Sequence, residues 1–220
     1  MFPFFFDPTM IILIPAVLFS LWAQYKVKSA YSEYGDIRAS RGVTARDVSA
    51  MLLAQNGLTD VNIEHIHGEL TDHYDPSARV LRLSDNVDGS RSIAAIGVAA
   101  HEVGHAIQHK TGYSFLRLRN AISPAAGICS SAAMPIFFIG FLIGHPLFMN
   151  VGIWLFCGVF IFYVITLPLE FDASGRALKM LSDTGTLTED ELCGAKKVLD
   201  AAALTYVAAL VMTVLQLVRL

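Results

Sequence analysis

Two apolar runs set almost back to back, Ala121 to Gly144 and Val151 to Leu169, limit the folds open to this chain more than any other feature. Neither holds an acidic, basic or histidine side chain, and only "HPLFMN" separates them. Each is close to the ~20 residues that cross about 30 Å of hydrocarbon as a helix. In lipid every backbone N–H and C=O needs an internal partner, so such runs form helices rather than open strands. They read as a hairpin of spans, in which Gly127, Gly140, Gly144, Gly152 and Gly158, with Ser130 and Ser131, offer small surfaces for close helix packing.

A third run, "TMIILIPAVLFSLWA" from Thr9 to Ala23, follows "MFPFFFDP". No Lys or Arg precedes it, and Trp22, Gln24 and Tyr25 close it in place of a small-residue cleavage site. It reads as an uncleaved span rather than a secretory signal. A fourth run, Ala201 to Val218, is interrupted by Thr205 and Gln216. It either spans or packs as a buried helix against the soluble part. The chain is therefore expected to be mainly α, with three to four transmembrane helices. Charged residues make up 16%, against about 25% in soluble domains. A net charge of -3 leaves no basic surface for nucleic acid. Cys129, Cys157 and Cys193 form no CxxC pair, which excludes a thiolate metal site of that kind and a disulfide framework.

Basic residues orient the spans. Eleven Lys or Arg lie between Lys26 and Arg119, and four more between Arg176 and Lys197, out of 16. The positive-inside rule puts both segments in the cytoplasm and the N-terminus and "HPLFMN" outside. The expected organisation is an N-terminal span (1–25), a cytoplasmic α+β insert (26–120), a hairpin of spans (121–169), cytoplasmic helices (170–200) and a C-terminal apolar helix (201–220).

Within the insert, "TARDVSAMLLAQNG" reads as a helix with Thr44 and Asp47 as a capping box and Asn56-Gly57 as its stop. "VNIEHIHG" alternates like a strand, and "ELTDHYDPSARVLRLSD" reads as two short strands about Asp75-Pro76-Ser77. Ser90 or Ser92 can cap the next helix, which runs through "IAAIGVAAHEVGHAIQHK" to Gly112. Glu170 to Leu181 reads as a helix that Pro168 can start. Thr188 and Glu191 form another capping box.

The helix ending at Gly112 carries the chemistry. His101 and His105 lie one turn apart on one face, so both imidazoles can reach one ion. Glu102 is rotated by about 100° from His101, beside that face. This H-E-x-x-H arrangement offers two nitrogen ligands and a carboxylate base, and suits Zn²⁺ with a coordination position left for water. Two His and a Glu in an Ala/Gly/Val helix would be costly to bury without a ligand. His109 continues the face but lies roughly 12 Å along the axis from His101, too far to share an ion with bonds of about 2 Å. Glu170, in "LPLEFDASGRALKML", is the better third ligand, because the topology returns it to the motif's side; a helix-end charge is its bland alternative.

"VAAHEVGHAIQ" and "LPLEFDASGRAL" set between apolar spans, with "LTDHYDPSARVLRLS", resemble the YugP-type neutral zinc metallopeptidases of bacterial membranes over nearly the whole chain. More distantly they resemble the HtpX and CAAX-protease gluzincins, with H-E-x-x-H followed by E-x-x-x-D. The resemblance implies a zincin-like (gluzincin) catalytic domain with a small β-hairpin or sheet. It implies one Zn²⁺ per chain on His101, His105 and Glu170, with Glu102 as catalytic base. The pattern's Asp is Ser174 here, and Ser174 could orient a ligating His as a weaker acceptor; Asp172 falls on the wrong side of an ideal helix. His73 and Tyr74 are candidates to stabilise the transition state, and "RVLRLS" to pair with substrate as an edge strand.

The expected function is a membrane-integrated zinc metalloendopeptidase in the bacterial cytoplasmic membrane. It would act from the cytoplasmic side on membrane or membrane-proximal proteins, in quality control or processing. Its surroundings would be the lipid bilayer and its protein substrates, with homo-oligomers or partner membrane proteins left open. The alternative is a non-catalytic zinc-binding scaffold, for which the base Glu102 would have no use. An ion transporter is disfavoured, since the spans hold no ionisable ligand.

Overall fold

A computed structural model describes residues 8–220; the stretch "MFPFFFD" ahead of the first apolar run lies outside the described residues. A 3-10 turn, Pro8–Leu13, leads into α1 (Ile14–Gly35), and α2 is Ala45–Gln55. Three strands follow: β1 (Asn62–Ile66), β2 (His73–Asp75) and β3 (Val80–Ser84). Four helices complete the order: α3 (Ile93–Lys110), α4 (Ser114–Ile143), α5 (Pro146–Asp183) and α6 (Glu189–Arg219). The protein is mainly helical with a small three-stranded sheet.

Among the described residues, four helices are long and apolar enough to cross a membrane: Thr9–Gly35, Ser114–Ile143, Pro146–Asp183 and Glu189–Arg219. The longest, of 38 residues, measures about 57 Å at 1.5 Å per residue, nearly twice the ~30 Å of hydrocarbon. The expectation of a span followed by a new helix at Pro168 is corrected here: α5 is unbroken, with Pro168 inside it. Prolines within membrane helices are tolerated because neighbours and local adjustments satisfy the freed backbone groups. The last apolar run is, as its capping box implies, the second half of one helix, α6, which Thr188 and Glu191 cap reciprocally at 2.8 and 3.4 Å.

The chain divides into two compact units. One comprises the described residues up to Gln24 with Arg117–Pro168 and Leu204–Leu220, and holds most of the apolar helical sequence. The other comprises Tyr25–Leu116 and Leu169–Ala203. Its core joins Val48, Leu52 and Leu53 of α2, Leu81 and Leu83 of β3, and Ile96, Val103 and Ile107 of α3. Ala177 and Leu181 of α5 and Val198 and Leu199 of α6 complete it.

Local signals start the elements of this unit. Thr44 and Asp47 form the capping box of α2, and the Ser92 side chain accepts from Ala95 N to cap α3. β3 is the central strand, parallel to β1 and antiparallel to β2. The expectation that "RVLRLS" is an edge open to substrate is therefore overturned. Four of the five β3 residues are buried, so its backbone needs partners on both sides, and β1 and β2 supply them.

Candidate active site

α3 enters the core almost entirely buried, with Ala94, Ala95, Ala99, Ala100 and Ala106 lining it. Small side chains let α5 approach closely, and Gly104 sets the limit. A Cβ on residue 104 would sit 2.6 Å from the Ala173 carbonyl oxygen. This contact holds the stretch of α5 that carries Glu170 and Ser174 against the motif face.

There the three expected ligands meet. His101 Nε2 lies 3.3 Å and His105 Nε2 3.8 Å from the same oxygen, Glu170 Oε2. The two imidazoles stand edge to face with centroids 4.7 Å apart. All three side chains are largely buried, and one donor atom from each lies within 4.8 Å of the others. An ion with tetrahedral bonds of about 2.0–2.2 Å separates its ligand atoms by about 3.3–3.6 Å. The donor set fits zinc.

The partner of its outer nitrogen sets the protonation of His105 Nδ1. Gln108 Nε2 donates to Leu169 O at 2.9 Å and to Asp172 Oδ2 at 2.8 Å. Both are acceptors only, so the amide presents Oε1 to His105 Nδ1 at 2.9 Å. His105 Nδ1 must then carry a proton, so in the neutral imidazole Nε2 is the nitrogen whose lone pair can meet an ion. His101 Nδ1 lies 3.1 Å from Ser174 Oγ, a hydroxyl that can accept from it or donate to it. Asp172 also accepts from Arg176 Nε at 2.6 Å. It reaches His105 through Gln108, where ideal helix geometry left it on the wrong side. Gln108 belongs to no motif read from the sequence, although its place three residues after His105 on a buried helix is a usable signal.

Glu102 is buried beside the cluster and accepts from the Tyr74 backbone N–H at 3.0 Å. Burial pushes its carboxyl above the usual range, and the neighbouring His105 and His101 partly oppose the shift. The Tyr74 contact depends on β2 being an edge strand, since an inner strand would spend that N–H within the sheet. No side-chain pattern signals it. Tyr74 OH is bound to His109 Nδ1 at 2.8 Å, so His109 partners a tyrosine and stands apart from the ligand set. His73 is engaged elsewhere: Nδ1–H donates to Thr71 O at 2.8 Å, and Nε2 accepts from Arg82 Nη1 at 3.3 Å.

Comparison with known proteins bears on this geometry. Residues 9–220 match the family described as "Putative neutral zinc metallopeptidase". The chain is 46% identical over 206 residues to "Putative membrane protease YugP" of Bacillus subtilis (strain 168), covering 94% of this chain and 92% of that protein. No solved structure matches it. The family implies Zn²⁺ as cofactor, and the relative together with four apolar helices makes this a membrane protein. On both the extent of the match and the identity, the chain belongs to the neutral zinc metallopeptidase family.

Proposed function

We propose that the chain is a membrane-integrated zinc metalloendopeptidase of gluzincin type. The carrying observation is the convergence of His101 Nε2 and His105 Nε2 on one Glu170 oxygen, with Glu102 held alongside by a backbone N–H. His101, His105 and Glu170 hold the ion. When bound, zinc supplies Lewis acidity, which lowers the pKa of a water and polarises a carbonyl.

The rest is done by side chains of this chain. Glu102 takes the proton of the attacking water and delivers it to the leaving amine. Its burial raises its basicity towards what a base near neutral pH needs. The Tyr74 N–H fixes one carboxylate oxygen and leaves the other to work. Ser174 and Gln108 keep the imidazole lone pairs directed inward, as outer-shell partners of ligating histidines do.

Substrates are membrane or membrane-proximal proteins cut from the cytoplasmic side of the bacterial inner membrane, in quality control or processing. Lys26, Lys28, Arg117, Arg119, Arg176 and Lys179 flank the apolar runs and support that sidedness. The test compares the membrane proteome of cells expressing the wild type with that of cells expressing Glu102→Gln, with zinc content measured on both proteins. Proteins that disappear or are shortened only with the wild type are expected. Turnover of a substrate found in this way should fall by at least about 10²-fold in the variant, with zinc retained. Identical proteomes would overturn the peptidase reading and favour a zinc-binding scaffold.

A further inference from the structure

Away from the motif, β1 and β3 end side by side. They run parallel with Ile66 opposite Ser84, so the next residues to leave the two strands are His67 and Asp85. His65 lies two residues before His67, the spacing at which a strand directs side chains to one face. His65 Nε2 lies 2.8 Å and His67 Nδ1 3.5 Å from the same oxygen, Asp85 Oδ1. The two rings meet edge to face with centroids 5.1 Å apart. Donor atoms of all three lie within 4.8 Å of one another.

The carboxylate is anchored independently of the histidines. Gly68 N donates to Asp85 Oδ2 at 2.8 Å, and Asp85 N donates back to Gly68 O at 3.2 Å. Gly68, at φ +115°, turns the chain in a region that side chains resist. Oδ2 is thereby committed to the backbone, and Oδ1 is the atom offered to both imidazoles. Ligand atoms around one tetrahedral ion with bonds of about 2.0–2.2 Å lie about 3.3–3.6 Å apart. The His67 edge already has that length, and the His65 edge needs an opening of about half an ångström. Two imidazoles and one carboxylate suit a borderline divalent ion, with solvent completing the shell.

We propose that His65, His67 and Asp85 form a second, solvent-exposed divalent-metal site with zinc-type preference, separate from the motif cluster. An ion there staples the end of β1 to the residue after β3, across the start of the 67–72 connection. That connection leads to Asp72, which accepts from Ser84 N and Ser84 Oγ at 2.7 Å each. It then enters β2, whose Tyr74 N–H holds Glu102. The site is thus placed to stiffen the base of the strand pair without touching the reacting atoms.

The experiment uses the full-length protein in detergent, purified without a histidine tag, stripped of metal and titrated calorimetrically with Zn²⁺ past two equivalents. A second event of about one ion per chain is expected. His67→Ala and Asp85→Asn should each weaken it by at least about 100-fold, since losing a ligand costs more than the 10–100-fold of an outer-shell change. The first event should be unchanged in both variants, which shows that they remain folded. His105→Ala should remove the first event and keep the second. If the first event instead survived His105→Ala, the motif site would fail while the second site still stood on its own variants. Absence of a second event in the wild type, or its survival in a His65→Ala, His67→Ala double variant, would overturn the proposal.

Discussion

Adding one methyl group at Gly104 tests whether the seating of α5 on α3 creates the proposed zinc site. The new Cβ would lie 2.6 Å from the Ala173 carbonyl oxygen, whereas carbon and carbonyl oxygen settle at about 3.3–3.6 Å. The helices must therefore part by about 0.7 Å at this point. Ala173 meets the methyl through its backbone, so no rotamer change relieves the contact. Glu170 is less than one helical turn away, and metal sites hold their bond lengths to about 0.2 Å. Overpacking of this kind costs about 1–3 kcal/mol, against a gain of about 1 kcal/mol for Ala over Gly in a helix. Strain of that size, relieved by parting the helices and re-imposed when Glu170 is drawn back onto the ion, lowers zinc affinity by about 5–150-fold. The assay is competition for zinc with a chromophoric chelator, on purified protein in detergent, beside a thermal melt. Gly175→Ala is the control, because a Cβ there meets nothing within 4 Å and should be neutral or slightly stabilising. Wild-type zinc affinity and melting temperature in Gly104→Ala would refute the account.

Gln108→Leu removes the acceptor of His105 Nδ1 and a donor to Asp172, so zinc affinity should fall by about 10–100-fold in the same competition. Ser174→Ala should weaken zinc by about tenfold through His101, towards the low end of that range, and Ser174→Asp should restore it. For topology, cysteine substitutions at Ser40 and Asn150 should label from opposite sides of the membrane; labelling of both from outside would overturn the cytoplasmic assignment.

What could be foreseen from the sequence follows how local each signal is. Hydropathy, the caps at Thr44 and Ser92, and the one-turn spacing of His101 and His105 each act within a few residues, so they survive the absence of three-dimensional information. Glu170 was reachable because topology confines where a chain leaving a span can go. Pro168 departs from the rule for soluble helices because membrane helices tolerate a proline where the backbone groups it frees find other partners. β3 was misjudged because a tight turn at Asp75-Pro76-Ser77 reveals the β2 neighbour, while the parallel partner β1 comes from outside that hairpin.

The same distinction runs through the site. Residue spacing places ligand nitrogens and a carboxylate together, but spacing does not decide which imidazole nitrogen carries the proton. That is decided by Gln108, whose Nε2 is claimed by Leu169 O and Asp172 and whose Oε1 is therefore left for His105. One of those two acceptors is a main-chain carbonyl with no side-chain signature. The hold of Tyr74 on Glu102 is likewise a main-chain donor, free only because β2 lies at the sheet edge. Changing the Tyr74 side chain should therefore disturb His109 more than the base. Loss of its N–H should act on the base directly, by releasing the carboxylate from the orientation in which it meets the water.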